Sequence, residues 1–121
     1  MQIRVVNLEE KARLLKERHK YKLIAELNDY QFKLIKAKRE FIWHGHEETD
    51  EMFFVVEGQM RHATREKIFE LEKGELIVVP KDVEHKPICD TECIVMLVES
   101  SGTLNTGNAG GPLTDTDIEW I

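Results

Sequence analysis

Apolar and polar residues alternate with a period of two along most of the chain after residue 21. The segments "YKLIAEL" and "YQFKLIKA" predict two strands joined by a turn at Asn28 and Asp29. The alternation continues through "EFIWHGH", which predicts a further strand over residues 40–46. The next segment, "EMFFVVEG", is apolar on both faces, which is typical of a strand that is covered on both sides in a sandwich or a closed barrel.

The second half of the chain repeats this pattern. "QMRHATR" and "KIFELEKG" predict a hairpin, and "ELIVVP", "VEHKP" and "TECIVMLVES" predict three more strands. Short strands at intervals of about 8 to 12 residues, broken by Gly, Pro and Asp, indicate an all-β sandwich or barrel. We expect this β domain to span residues 21–100.

The two ends of the chain have different patterns. Residues 1–20 contain a predicted helix over 7–19, with Asn7 as N-cap and an apolar stripe formed by Leu8, Ala12 and Leu15. Residues 101–121 begin with the small and polar segment "SSGTLNTGNAGG", which predicts an irregular tail. Because this tail closes with large apolar residues, we expect it to pack on the barrel or on a partner subunit. These residues are Leu113, Ile118, Trp120 and Ile121.

Composition narrows the function classes. The 121 residues carry a net charge of −6 with both signs mixed along the chain, which argues against a nucleic-acid partner. No apolar run approaches the roughly 20 residues of a membrane span, and the start lacks an apolar signal segment, so a cytoplasmic protein with no membrane partner is expected. The basic segment 36–40 is interpreted as a solvated strand edge. Cys89 and Cys93 are expected to be reduced, packed thiols.

Three histidines and a carboxylate suggest a metal site. His44 and His46 are two residues apart, so on one strand their side chains point to the same face, about 6.6 Å apart. His85, on another short strand, is the obvious third imidazole, and imidazole is a common ligand of transition metals. Strand parity favours Glu48 as the carboxylate, whereas a turn at 47–50 favours Glu51. Local physics leaves both candidates open.

Two spaced motifs resemble a known family. Residues 44–58 read H-x-H-x4-E-x6-G and residues 74–85 read G-x5-P-x-D-x2-H. Over roughly residues 32–99 these are similar to the two consensus motifs of the cupin superfamily, whose members are small antiparallel jelly-roll barrels. The resemblance implies a jelly-roll barrel (double-stranded β-helix) with a divalent metal inside it, and it implies a homodimer. The metal ligands it implies are His44, His46, Glu51 and His85.

The chain departs from the family pattern at three positions that are not metal ligands. Lys38 and Asp82 replace glycines that are common in the motifs, and Cys89 replaces a frequent asparagine. Asp82 suits a tight turn because Asp adopts left-handed backbone geometry. These departures leave the enzyme branch open.

The ligand set allows two kinds of chemistry. A tetrahedral Zn²⁺ that uses all four residues would be closed and structural, whereas six-coordinate Mn, Fe, Ni or Co would leave positions for a small molecule. The leading hypothesis is therefore a metal-dependent enzyme or binder of a sugar, sugar phosphate or hydroxy or keto acid, of isomerase or dioxygenase type. The alternative is a non-catalytic module with a structural or sensing role. His62, in the strand after Gly58, is a weaker candidate for an acid–base group.

Overall fold

The computed structural model describes residues 2–116 and 118–121, and this part of the chain forms one helix and nine strands. The elements are α1 (Leu8–Arg13), β1 (Lys22–Leu27), β2 (Tyr30–Ala37), β3 (Glu51–Glu57), β4 (Gln59–Thr64), β5 (Ile68–Glu72), β6 (Leu76–Val79), β7 (His85–Ile88), β8 (Cys93–Ser100) and β9 (Glu119–Trp120).

The strands form two sheets. The larger has the order β6-β3-β8-β2-β1-β9, and the smaller has the order β5-β4-β7. All pairings are antiparallel except that of β9, which lies parallel to β1. The sheets enclose a common core, so the architecture is a jelly-roll β-sandwich with a short N-terminal helix, and the predicted fold class is confirmed.

The core follows from the pleat of the central strands. Along β8 every second residue is buried, because these side chains point between the sheets. Their apolar members pack with residues from β2, β3 and the smaller sheet. A second apolar cluster lies on the opposite face of the larger sheet, where Leu15, Ile24 and Leu34 are buried. The helical segment therefore covers the outside of the sheet.

Two predicted boundaries are wrong. The helix extends only over Leu8–Arg13, although Asn7 is its N-cap and accepts a hydrogen bond from the Glu10 amide. Residues 16–20 contain no buried apolar side chain that would continue the stripe, so no packing on the sheet extends the helix through them. Residues 40–46 form only isolated bridges, at Glu40 and His44, instead of a strand. This stretch is bonded to β7 at both bridges, and its last residues also bond to Asp82 and Asn108.

The structure also decides two residue-level predictions. Cys89 and Cys93, expected to be reduced, are joined by a disulfide between β7 and β8, which corrects that prediction. Sequence alone could not show that the turn between these strands brings the two thiols together. Asp82 has a φ of 66°, so the left-handed geometry expected at this position is confirmed.

The C-terminal residues contact the barrel of the same chain. Glu119 and Trp120 pair with Lys22 and Leu23, and the preceding residues Asn105 and Thr106 are buried. Asn105 holds its own segment together, since its side chain donates to the Leu113 carbonyl and accepts from the Asp115 amide. Within the described residues, no helix is long and apolar enough to cross a membrane.

Candidate metal centre

Three histidines and one glutamate converge inside the sandwich. Their potential ligand atoms all lie within 4.8 Å of one another, and all four residues are buried. Glu51 opens β3 and His85 opens β7, while the two other histidines lie in the irregular stretch before β3. Glu48 is exposed to solvent. The turn at 47–50 therefore resets the strand parity, and the structure brings Glu51, not Glu48, to the histidines. The four residues are His44, His46, Glu51 and His85.

Backbone hydrogen bonds fix the histidines relative to one another. The amide of His44 donates to the carbonyl of His85 at 3.0 Å, and the amide of His85 donates to the carbonyl of His44 at 2.8 Å. The carbonyl of His46 accepts from the amide of Asp82 at 2.8 Å. The two sequence motifs, which are about 40 residues apart, are thus joined by main-chain contacts.

The side chains point their unused nitrogens and oxygens at a common space. Nδ1 of His44 lies 2.9 Å from the Ile42 carbonyl, which leaves Nε2 facing Nε2 of His85 at 3.0 Å. Oε1 of Glu51 lies 3.3 Å from Nε2 of His46 and 3.5 Å from Nε2 of His85. Hydrogen bonding of the outward nitrogen to a carbonyl is the usual way in which a metal-binding imidazole is oriented.

Burial keeps the imidazoles neutral. It lowers the pKa of His44 to about 4 and that of His85 to about 2, and neighbouring histidines add to the shift. The pKa of His46 is also lowered, mainly by burial. Burial raises the pKa of Glu51. A metal binds neutral imidazole, so these histidines are in their ligating form at neutral pH.

The cluster contains polar atoms with no hydrogen-bond partner. Nε2 of His46 and Oε1 of Glu51 are both fully buried and unpartnered among the described residues. Such atoms normally cost about 1–3 kcal/mol each. Because these donor atoms are unpartnered, close together and of the types that divalent transition metals prefer, the residues fit a metal ion.

A buried ion pair beside Glu51 was missed by the sequence reasoning. Nζ of Lys33 donates to Oε1 of Glu99 at 3.1 Å, and both side chains are almost completely buried. The Glu99 carboxyl lies next to that of Glu51, and burial together with this neighbour raises the pKa of Glu99 well above its ordinary value. Strand parity could have identified Glu99 as a buried residue, because it follows Val95 and Leu97 on the inward face of β8.

His62 lies near the cluster but is not part of it. Its side chain is completely buried, and neither ring nitrogen has a hydrogen-bond partner. The ring centroid is 4.9 Å from that of His85 and 4.4 Å from that of Phe53. The structure thus brings this weaker candidate next to one of the four clustered residues.

A polar cleft of ≈ 500 Å³ lies between the cluster and the C-terminal residues. His46 lines it, together with Glu47, Glu48, Thr49 and residues 100–104. Two further lining residues, Gly45 and Asn108, are hydrogen-bonded to each other. The side-chain carbonyl oxygen of Asn108 accepts a hydrogen bond from the Gly45 amide at 3.0 Å, and the main-chain amide of Asn108 donates to the Gly45 carbonyl, also at 3.0 Å. The tail therefore fixes the residue between two of the clustered histidines.

Comparison with known proteins agrees with this geometry. Residues 32–99, more than half of the chain, match the family model described as "Cupin domain". The chain belongs to the cupin family. The matched region contains both histidine motifs and all four clustered residues, so the resemblance found from the motifs is confirmed.

Solved structures and a curated protein extend the match. A cupin-2 domain containing protein from Shewanella frigidimarina is 46% identical, with a TM-score of 0.77 over 79% of this chain and 94% of that one. Protein NMB1881 from Neisseria meningitidis is 30% identical, with a TM-score of 0.73 over 81% of this chain and 100% of that one. The uncharacterized protein YdbB from Bacillus subtilis is 29% identical over 70% of this chain and 76% of its own length.

Proposed function

We propose that this cupin binds one divalent metal ion through His44, His46, Glu51 and His85 and acts on, or binds, a small oxygen-rich molecule. The observation that carries the proposal is the pair of buried, unpartnered donor atoms on His46 and Glu51, which point toward the same space. Buried polar atoms in a folded core are normally hydrogen-bonded.

The surrounding residues support this role. When bound, the ion would supply Lewis-acid chemistry for a carbonyl or hydroxyl oxygen. The ring of Phe41 packs against that of His44 and the ring of Phe53 against that of His62, so this side of the cluster is apolar. The cleft beside His46 gives a small molecule a route from solvent. The Glu99 carboxyl, which is paired with Lys33, lies next to that of Glu51.

The test is the metal content of the purified protein and of two matched variants. Glu51→Gln removes the carboxylate in the cluster, whereas Glu48→Gln makes the same change three residues away on an exposed side chain. We expect about one ion per chain in the wild type and in Glu48→Gln, and at least about tenfold weaker retention in Glu51→Gln on dialysis against a chelator. His46→Ala should lose stoichiometric metal altogether.

Equal metal content in Glu51→Gln and the wild type would contradict the proposed ligand set, provided that circular dichroism shows both proteins folded. If metal is bound as proposed, its coordination number distinguishes a structural ion from an ion that acts on a small molecule. Four-coordinate zinc indicates a structural ion, whereas six-coordinate manganese, iron, nickel or cobalt with exchangeable waters indicates chemistry on a bound molecule.

We also infer a homodimer. The support in this chain is strand β6, which forms one edge of the larger sheet and leaves Leu76 and Val78 exposed. An uncovered edge strand with apolar side chains is a ready pairing surface. Sedimentation of the wild type should give twice the chain mass, and Val78→Lys should shift it toward the monomer. A wild-type monomer at high micromolar concentration would reject the dimer.

A further inference from the structure

A second cavity lies inside the barrel, apart from the polar cleft. Its walls come from both sheets and are almost entirely apolar, with Ile35, Ala37, Phe53, Met60, Val95 and Leu97 among them. The centre of a water molecule can move through ≈ 40 Å³ of this space. Since one buried water needs about 10–15 Å³ on this measure, the cavity holds a chain of about three or four atoms.

One charged side chain lines this apolar space. Arg39 is half-buried, and its guanidinium carbon lies 4.7 Å from the ring centre of Phe41, whose ring in turn contacts that of His44 at 5.3 Å. No carboxylate among the described residues lies within ion-pair distance of the guanidinium, and no hydrogen bond from its side chain is formed within them. A cation in this position is normally paired.

The phenol of Tyr21 lies on the same cavity. Burial raises the pKa of Tyr21, and the Glu51 and Glu99 carboxyls add to the rise, whereas the Arg39 cation and a side-chain hydrogen bond with Asn105 oppose it. The neutral hydroxyl is a hydrogen-bond donor for an anion.

Arg39 is the one charged residue in the described wall of this cavity, and Lys36 and Lys38 beside it lie outside the wall. Glu40, the next residue, is exposed and pairs with Lys86 instead. An anion at the cavity would therefore meet a cation that has no carboxylate partner among the described residues. This was not expected when residues 36–40 were interpreted as a solvated strand edge.

We propose that this cavity binds a small organic carboxylate, with the carboxylate on the Arg39 guanidinium and a short apolar chain in the barrel interior. The planar guanidinium can give a carboxylate two parallel hydrogen bonds, which a lysine cannot. The apolar walls favour an alkyl chain over a polyhydroxylated one. This inference goes beyond the metal proposal and does not depend on it, because none of the four clustered residues lines the cavity.

The test uses butyrate and its neutral isostere butyramide as probes. Binding to the full-length protein, both as purified and after metal chelation, is measured by calorimetry and by the NMR signal of the Arg39 Nε–H group. We expect butyrate to bind with a Kd of about 1 mM, and butyramide at least about tenfold more weakly. The Nε–H signal should shift with butyrate only, in the chelated protein as well.

Three variants separate charge, geometry and space. Arg39→Gln should weaken butyrate at least about tenfold, and Arg39→Lys should give an intermediate Kd because it keeps the charge but loses the paired hydrogen bonds. Arg13→Gln makes the same charge change on the exposed helix and should leave the Kd unchanged. Ala37→Val fills part of the cavity and should weaken butyrate and butyramide alike.

Two results would overturn the proposal. One is equal affinity for butyrate and butyramide, and the other is wild-type affinity in Arg39→Gln. Absence of butyrate binding at about 10 mM would also reject it. A protein that contains no metal but still binds butyrate through Arg39 would reject only the metal proposal, so the two failures are distinguishable.

Discussion

The inward faces of β2, β3 and β8 form one continuous surface, yet its two ends differ sharply. At one end lie Ala37, Val55 and Val95, which pack as an ordinary apolar core. At the other end the same pleat presents Lys33, Glu51 and Glu99, all buried. We call these the apolar end and the polar end. Apolar burial stabilises the first, whereas charged groups in the second lose hydration and recover only part of it through pairing.

The difference distinguishes residues that stabilise the fold from residues whose burial costs stability. Buried polar atoms without partners lie on and around the histidine cluster, and one more lies on Glu99, at the polar end. Because buried polar groups without partners cost stability, they point to a role other than folding. Substitutions at the apolar end should therefore leave metal binding unchanged, whereas those at the polar end should separate stability from metal binding.

The largest expected effect comes from breaking the buried ion pair. Lys33→Met leaves the Glu99 carboxyl buried without its cation, and we expect the free energy of unfolding to fall by about 3–5 kcal/mol. Urea unfolding of the metal-free protein measures this. The double variant Lys33→Met with Glu99→Leu should recover most of the loss, because an apolar pair replaces the ion pair. A double variant as unstable as the single one would show that the polar end is needed for folding.

Leu97→Ala tests the apolar part of the same face. Leu97 is buried opposite Phe53, so truncation should lower the free energy of unfolding by about 2–5 kcal/mol. Metal stoichiometry should not change, since the side chain does not belong to the histidine cluster. A loss of metal in a variant that remains folded would contradict the separation of the two ends.

His62→Leu should stabilise the metal-free protein. The imidazole is fully buried with neither nitrogen partnered, so an apolar side chain of similar volume removes a desolvation cost of about 1–3 kcal/mol. Thermal and urea unfolding after chelation measure the gain. An unchanged or lower stability would mean that the ring is satisfied in solution, and that His62 resembles the apolar end more than the polar one.

The same variant should also change the response to acid. Burial lowers the pKa of His62 to about 3, whereas in the unfolded chain it is near 6.5. The unfolded state thus binds the proton first, and stability is lost as the pH falls from about 6.5 toward 3, by up to about 1.4 kcal/mol per pH unit for this group. His62→Leu should have a shallower slope over that range. Parallel slopes for the two metal-free proteins would contradict the assignment.

Most of the fold could be predicted from alternation, because a period of two reports directly which residues lie between the sheets. The prediction failed where other parts of the chain determine the structure. Residues 40–46 alternate like a strand, yet their hydrogen bonds go to residues 85–88, to Asp82 and to Asn108, and these partners cannot be inferred from their own sequence.

The candidate site was predictable in part for the same reason. His44, His46 and His85 came from spacing, but the choice between Glu48 and Glu51 depended on how the turn at 47–50 resets the pleat. Lys33 and Arg39 lie in or just after a polar, strand-like stretch, where basic side chains are normally solvated. Lys33 is buried and Arg39 half-buried because of residues from other strands, and those contacts cannot be read from the local sequence.

The smallest expected effect concerns the contact between the tail and the polar end. Asn108 is exposed, but its side chain accepts from the amide of Gly45, between two of the clustered histidines. Asn108→Ala removes that one hydrogen bond and leaves the main-chain contact in place, so we expect a loss of about 0.5–1.5 kcal/mol in stability. Metal affinity should fall by about tenfold, because the bond orients neighbours of both ligands. Competition with a chelator measures the affinity, and Gln59→Ala, on an exposed side chain at the start of β4, is the control. If both variants held metal like the wild type, the tail would cover the polar end without supporting it.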